Sequence, residues 1–399
     1  MSMKNRKPKL VVVIGIDFDR SYAGTQYLLE HLADAFEIVL CAYTDAHSGR
    51  WYRQLPFSRH VFPFRDSVWD GGRLRLMSKA FRAFVFLRML FARTVLVTET
   101  AYLREAAWAK NIRGSRMVLA QFCQELYFTE EYPLGRWPAT QKRYARAPDV
   151  VIDVDPFRAA IRAEYYGLPR IPHVLRNTFP LAQLPPRAPP GTLWKLAGIA
   201  PPPAESAIVV HAGGVGREKP FDRIIDAVAM LKSPPFLLAF CTATEETIQR
   251  FRVLAAEKLG PGRFHLGPTV SREELRASLW EADVGVVDYT YTVEPTVNQK
   301  YCAPTKLYEF MACGLAVWGS NNDSLRDVIE REGLGRCAAG DDPRDLAVAL
   351  EALLASDLAA QKERARTMFA EKYSYEKVCE GTVRHIIADM LAPACKHGN

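Results

Sequence analysis

Lys9–Ile16 (KLVVVIGI) is a continuous run dominated by β-branched residues, a pattern that reads as a buried strand. A polar stretch, Asp17 to Ser21, leads through Gly24 into an amphipathic helix over Thr25–Phe36, and Glu37–Ala42 supplies the next strand. The same order returns in the second half of the chain. Ala207–His211 is a strand, Gly213-Gly214-Val215-Gly216-Arg217-Glu218-Lys219-Pro220 is a glycine-rich loop, and Phe221–Leu231 is a helix. Phe221, Ile224, Ile225, Val228 and Leu231 share one stripe of that helix. Alternating strand, loop and helix predict parallel sheets covered by helices, an α/β fold of nucleotide-binding type. Thr94–Val97, Met117–Phe122 and Val150–Val154 continue the strands of the first half, with helices near 102–111 and 138–147. Phe236–Phe240, Phe264–Pro268 and Val284–Val287 do so in the second.

A chain of 399 residues suits two such domains. The boundary is the proline-dense segment that holds Pro180, Pro185, Pro186, Pro189, Pro190, Pro201, Pro202 and Pro203, read as a stiff connector with a short helix near 192–197. The resulting division is 1–180 for the first domain, 181–204 for the linker, 205–370 for the second domain and 371–392 for a last helix. The eight cysteines are scattered with no CxxC pair, as expected of reduced thiols in a cytoplasmic protein. No apolar run approaches the roughly 18 residues needed to span a bilayer, and the N-terminus lacks a secretory pattern. The net charge of +7 favours an anionic partner.

The most informative stretch is Pro304-Thr305-Lys306-Leu307-Tyr308-Glu309-Phe310-Met311-Ala312-Cys313-Gly314-Leu315-Ala316-Val317. Pro304 precedes good helix formers, Thr305 is placed to cap, Gly314 ends the helix, and Leu315–Trp318 reads as a buried strand. Lys306 is out of keeping. A cation in the first helical turn opposes the macrodipole by roughly 0.3–1 kcal/mol. An anion at that end would reverse the sign, since exposed N–H groups and a lysine form a phosphate cradle. Glu309, three residues on, shares that face and can reach hydroxyls beside the anion. The alternative is a surface lysine with a glutamate partner at i,i+3. The loop Gly213–Lys219 offers a second cradle, with Arg217 or Lys219 supplying charge. In the first half, Gln124 and Glu125 follow a strand end, where open parallel sheets bind ligands. A carboxylate there can stabilise a developing positive charge or take a proton; it can equally cap a helix or form a salt bridge.

The run Pro304–Val317 resembles the donor-site signature of GT-B glycosyltransferases, in particular the large retaining family, often called group 1 or family 4, that includes many bacterial polysaccharide enzymes. The resemblance implies two Rossmann-like domains with parallel sheets facing across a cleft, the second binding a nucleotide-diphosphate sugar and the first an acceptor. It implies that Glu309 binds the ribose and that the start of its helix faces the diphosphate. Donor contacts fall on Gly213, Gly214, Arg217, Lys219, Thr305, Lys306, Leu307 and Glu309, with the nucleobase read at Leu266 and Gly267. Gly24 would lie at the acceptor-side loop, Gln124 or Glu125 near the reaction centre, and Tyr373–Glu376 before a last helix that crosses back to the first domain. His173–Thr178 is similar to the strand and asparagine that end the family's first domain. Three positions depart from the pattern: Tyr301 stands where an earlier glutamate is common, the usual loop arginine falls on Gly214, and no histidine stands near Gln124. The family generally needs no bound metal, and the spacing of Asp283 and Asp288 does not make a DxD site; neither metal nor cofactor is expected.

Gly71–Arg93 carries Arg73, Arg75, Lys79, Arg82, Arg88 and Arg93 among apolar residues and no acidic one. Such a helix can lie on an anionic membrane surface, which suits a lipid-linked acceptor and a peripheral location at the inner face of the plasma membrane. It can also be a core helix whose arginines reach solvent. Nucleic acid is not expected, because no recognition module accompanies the charge. Two other functions fit the resemblance: a sugar-nucleotide epimerase of the same fold, and a catalytically inactive module that binds a sugar nucleotide or glycan.

Overall fold

The computed structural model describes residues 7–14, 23–44, 57–63, 73–100, 102–133, 135–216, 221–289 and 296–392. The chain divides into two compact units, residues 1–177 with 378–399, and residues 178–377.

The first unit runs β1 (Lys9–Ile14), α1 (Ala23–Ala35), β2 (Glu37–Thr44), β3 (Ser58–Pro63), α2 (Arg73–Leu90), β4 (Thr94–Thr98), α3 (Leu103–Arg113), β5 (Val118–Cys123), α4 (Arg136–Tyr144), β6 (Val150–Asp153), α5 (Pro156–Tyr166) and β7 (His173–Val174). All seven strands are parallel, in the order β3-β2-β1-β4-β5-β6-β7. The order reverses direction between β1 and β4, and that is the topological switch point at which such sheets leave a crevice. One core cluster packs Val11, Val13, Val95 and Leu119 of the sheet against Phe81, Val85 and Met89 of α2 and Leu103 and Ala106 of α3. Helix α5 shows how local signals fix an end. Asp155 accepts hydrogen bonds from the amides of Phe157 and Arg158, Pro156 opens the first turn, and Gly167 closes the helix.

The second unit contains α6 (Thr192–Ala197), β8 (Ile208–Gly214), α7 (Asp222–Ala229), β9 (Phe236–Thr242), α8 (Glu245–Leu259), β10 (Phe264–Pro268), α9 (Arg272–Ser278), β11 (Val284–Val287), α10 (Val297–Lys300), α11 (Thr305–Cys313), β12 (Ala316–Gly319), α12 (Asp323–Ile329), β13 (Gly335–Cys337), α13 (Pro343–Leu354) and α14 (Leu358–Met368). Its six parallel strands are ordered β10-β9-β8-β11-β12-β13, which places the switch point between β8 and β11. A π turn at Phe369–Tyr373 precedes α15 (Tyr375–Leu391). From Val378 onward α15 clusters with the first unit, where Asp389 meets His173 at 2.9 Å and the carbonyl of Met390 accepts from Thr94.

The proline-dense segment is not a free connector. It belongs to the second unit, where the Ala188 amide donates to the Ala277 carbonyl and the amides of Gly191 and Leu193 donate to the Glu281 carboxylate. Trp194 packs edge-on against Phe236. Proline content alone reads as stiffness; the apolar Leu193 and Trp194 are what dock it.

Candidate functional site

In the second unit Gly213, Gly214 and Lys306, three of the residues singled out from the sequence, come together at the carboxyl ends of β8 and β11. Gly213, the last but one residue of β8, has φ of 139°, a left-handed value that side chains disfavour. A Cβ built on it would lie 3.9 Å from Lys306 Nζ, so the glycine loop and the lysine of α11 lie side by side. Gly214, next to it, still pairs with Thr242 of β9. Arg217 and Lys219 lie outside the described residues. Lys306 Nζ sits 4.9 Å from the centre of the Tyr289 ring, just past the end of β11. The Tyr289 amide in turn donates to Ser320 Oγ beyond β12.

Thr305 does not cap α11. Pro304, in an extended conformation and without a side-chain acceptor, occupies the cap position, and Thr305 is already in the first turn. Leu307 is buried (2% exposed), so its side chain belongs to the core. Phe310 lies so close over Gly285 of β11 that a Cβ there would run into its ring. That contact presses α11 onto the sheet and fixes where Lys306 and Glu309 stand. Gly314 ends the helix at φ 74°, with amide bonds from Gly314 to Met311 and from Leu315 to Phe310, a Schellman closure. The approach to α11 is held by Asn322, whose Nδ2 donates to the carbonyls of Lys300 (2.6 Å) and Gln299 and whose Oδ1 caps α12. Between β11 and α11, residues 290–295 lie outside the description, and Val297–Lys300 form α10.

Glu309 is held by two arginines of α9 that the sequence reading did not single out. Arg272 Nε (2.5 Å), Arg276 Nε (3.0 Å) and Arg276 Nη2 (2.5 Å) all donate to Oε1. Arg276 is itself nearly buried and stacks on Phe179 at 4.1 Å. The carboxylate is therefore fixed in direction, with Oε2 as the second acceptor oxygen. The spacing of Arg272 and Arg276, i and i+4 on a helix opened by Ser271, was the available signal. Leu266 and Gly267 are on the edge strand β10, two strands from β8, or about 10 Å by strand spacing. The Leu266 carbonyl already accepts from Arg252 Nε at 2.7 Å. Asp283 accepts from the Ile208 amide and Lys362 Nζ, a structural role. Among the described residues no three His, Cys, Asp or Glu side chains are grouped to hold a metal ion. His211 is buried against Phe221.

The first unit has a second cluster at its own switch point. Gly24 stands in the first turn of α1, where a Cβ would lie 3.5 Å from Asn177 Oδ1. Thr25, its neighbour, donates to Gln124 Oε1 at 3.3 Å. Glu125 pairs with Arg158 at 3.7 Å, and Arg162 bridges Asp153 (2.6 Å) and the Glu125 carbonyl (2.7 Å). Both arginines are buried on α5, four residues apart. The residue missed here is Glu99. It follows β4 with φ 54°, is 4% exposed, and its Oε1 accepts from the amides of Gln124 (2.6 Å) and Glu125 (3.2 Å). Burial, reinforced by the neighbouring Glu125, pushes its carboxyl up to about 8. The signal was its place directly after the strand Thr94–Thr98.

Helix α2 combines the two readings of its sequence. Phe81, Val85 and Met89 are in the core, whereas Lys79, Arg88 and Arg93 are exposed together with Leu87 and Phe91. Arg82 is tied to Glu105 at 2.8 Å. The side chains of Arg73 and Arg75 lie outside the description. No described helix is long and apolar enough to cross a membrane.

Residues 195–372 match the family model described as Glycosyl transferases group 1. No curated protein sequence matches the chain. Solved structures resemble it along nearly its whole length. A glycosyltransferase from Rickettsia africae superposes with a TM-score of 0.72 at 14% identity, covering 97% of this chain and 99% of its own. HepE of Anabaena, in complex with UDP-glucose, gives 0.68 at 12% identity, covering 95% and 99%. Sucrose-phosphate synthase from Thermosynechococcus elongatus gives 0.66 at 17% identity, covering 96% and 100%. The fold shared with these structures is GT-B, with two parallel α/β units.

Proposed function

We propose that this chain, a glycosyltransferase of GT-B fold whose second unit matches the group 1 family, moves a sugar from a nucleotide-diphosphate sugar to a glycan or lipid-linked acceptor. The observation that carries the reading is the meeting of Gly213 and Lys306 at the switch point of the second sheet. Open backbone at a glycine, a helix N-terminus and an ammonium group form a site for a diphosphate. They would also stabilise the charge that develops on the nucleoside diphosphate as it leaves, in place of a metal. Glu309, directed by Arg272 and Arg276, offers Oε2 to the ribose hydroxyls. Thr305 and the described glycines contribute backbone, and Leu266–Gly267 would lie toward the base. HepE, with UDP-glucose bound, makes uracil the first base to test.

The first unit would hold the acceptor, with Glu125 and Gln124 beside the reacting carbon and Gly24 at the entrance. Retention of configuration and a role in cell-surface polysaccharide synthesis belong to the same proposal, and the family likeness supports them. The exposed Leu87, Phe91, Arg88 and Arg93 suit a peripheral position on an anionic cytoplasmic membrane surface, where lipid-linked acceptors are found.

The test is thermal unfolding of wild type and Lys306→Ala with UDP, GDP, CDP, ADP and dTDP. A ligand at 100 times its dissociation constant stabilises the folded state by about 2.7 kcal/mol. A shift with one base that disappears in the variant supports the site; no shift with any of the five overturns it. Slow hydrolysis of the matching nucleotide sugar, absent in Glu309→Ala, then separates a transferase from an inactive binder.

A further inference from the structure

We propose that Glu99 is the positioning residue of the first unit's site: its carboxyl pins the Gln124–Glu125 turn through both backbone amides and sets the charge that Glu125 meets. The proposal rests on the transferase reading of that site. Three independent features of the structure lead to it.

The first is backbone strain. Glu99 is the one non-glycine residue with positive φ among the described residues. A left-handed conformation disfavours a residue with a Cβ by roughly 1–2 kcal/mol, and such outliers persist where surrounding structure holds them. Here the holding contacts are specific: the Glu99 amide donates to the Phe122 carbonyl, and Gln121 Nε2 donates to the Glu99 carbonyl. The twist carries the side chain back over the end of β5, where Oε1 takes both amides of the turn.

The second is location. Glu99 directly follows β4 and Gly24 opens α1, the element after β1, so the two flank the switch point of the seven-stranded sheet. The third is an unmet donor. Gln124 is 5% exposed, and its Nε2 has no hydrogen-bond partner among the described residues, while its Oε1 accepts from Thr25. A buried amide donor without a partner costs about 1–3 kcal/mol, a penalty that a bound hydroxyl or carbonyl would remove. The turn that Glu99 clamps therefore presents a carboxylate and a donor on consecutive residues.

The groups around Glu99 fix its protonation. Glu125, Cys123 and Tyr127 face it from β5 and the turn after it, and Arg158 and Arg162 face it from α5, with Asp153 paired to both arginines. Desolvation is the largest influence and the Glu125 charge the next, so the carboxyl keeps its proton up to about pH 8. Oε1 serves the two amides, which leaves the proton on Oε2. Below that pH the clamp is neutral and Glu125 faces Arg158 with no like charge from Glu99. Above it, two like charges share one turn and Glu125 is driven off its position.

The experiment combines a carboxyl titration with a rate profile. In infrared difference spectra, a protonated-carboxyl band should be present at pH 7, vanish with a midpoint near 8, and be missing from Glu99→Gln. In Glu125→Gln the midpoint should fall, because the like charge is gone. Glu99→Gln keeps both amide acceptors and mimics the neutral acid, so it should retain donor hydrolysis within about threefold at pH 7 and lose the decline above pH 8. Glu99→Gly accepts the left-handed φ without strain but lacks the carboxyl, and should lose at least about tenfold in kcat. An absent band at pH 7, an unmoved midpoint in Glu125→Gln, a persistent alkaline decline in Glu99→Gln, or a fully active Glu99→Gly would each overturn the proposal. The spectra require no turnover, so they judge Glu99 even if the transferase reading fails, and they remain decisive should Glu99→Gly not fold.

Discussion

Arg276 and Glu309 should behave as one energetic unit, and a double-mutant cycle measures whether they do. Arg276 gives two hydrogen bonds to Oε1, at 3.0 and 2.5 Å, and the two side chains are only 11% and 15% exposed. Hydrogen bonds to charged groups contribute about 1.5–3 kcal/mol net, and breaking a fully buried pair costs about 3–5 kcal/mol. Partial exposure places Glu309→Ala where the two ranges meet, at about 3 kcal/mol. Arg272 adds little, since a pair with a partner that exposed contributes about 0–1 kcal/mol. Arg276→Ala should lose a similar amount together with its stack on Phe179. The double variant should fall short of the sum by about 1–2 kcal/mol, the coupling expected of groups in one network. Urea unfolding of the four proteins gives the stabilities, and calorimetry with the nucleoside diphosphate found in the thermal screen gives the affinities. If Arg276 directs Glu309 toward the ribose, Arg276→Ala should weaken binding about tenfold, or 1.4 kcal/mol, although Arg276 itself lies behind the carboxylate. Additivity within about 0.5 kcal/mol, or unchanged affinity, would refute the clamp.

Other substitutions test other parts of the same argument. Gly213→Ala should lower stability, because it strains a left-handed φ, and weaken nucleoside-diphosphate binding, because it sets a methyl beside Lys306 Nζ; urea unfolding and a titration with the diphosphate check the two effects. Gly285→Ala should destabilise the second unit by about 1–3 kcal/mol or more, the range of overpacked cores, and Phe310→Leu in the same chain should recover part of the loss in urea unfolding. For Glu99 the sign of the pH effect is set by a raised value. Between the ordinary 4.5 and about 8 the folded protein keeps a proton that the unfolded chain releases, so stability falls as pH rises through that window. At about 1.4 kcal/mol per pH unit the penalty reaches an upper limit near 5 kcal/mol, and the melting-temperature advantage of Glu99→Gln over wild type should therefore grow from pH 5 to pH 8. Binding to vesicles of anionic lipid should fall in Leu87→Ser/Phe91→Ser and be unchanged for neutral vesicles, as measured by sedimentation.

The α/β order was legible because parallel strands buried on both faces are continuous apolar runs, as in Leu10–Ile14 and Val284–Val287. β3 and β13 escaped notice for the opposite reason. Ser58–Pro63 and Gly335–Cys337 are sheet edges, and their exposed positions carry Arg59 and Arg336, which break the apolar pattern. Gly314 was legible as the end of its helix, since capping is decided within a few residues. Thr305 was misread because a proline before it takes the cap position. The partners of Glu309 were out of reach for a different reason. Arg272 and Arg276 are more than thirty residues away in sequence, and only the packing of α9 against α11 brings them to the carboxylate.

Glu99 shows why chemistry in a parallel sheet is harder to read than its fold. Nothing in Thr98-Glu99-Thr100 forecasts a left-handed residue, and an acidic side chain after a strand is ordinarily solvated. Its character comes from β5, which delivers two amides to one oxygen, and from α5, which sets Arg158 and Arg162 behind them. The second unit solves a simpler problem. An anion needs open N–H groups and a cation, and these are local properties of a glycine turn and a helix start, visible in Gly213 and Lys306 before any folding is considered. A carboxyl that holds its proton at neutral pH needs burial and a like charge across two strands, which only tertiary structure can supply. The anion cradle of the second unit could therefore be located from its motif. The protonated clamp of the first became visible through one backbone angle and two amide bonds.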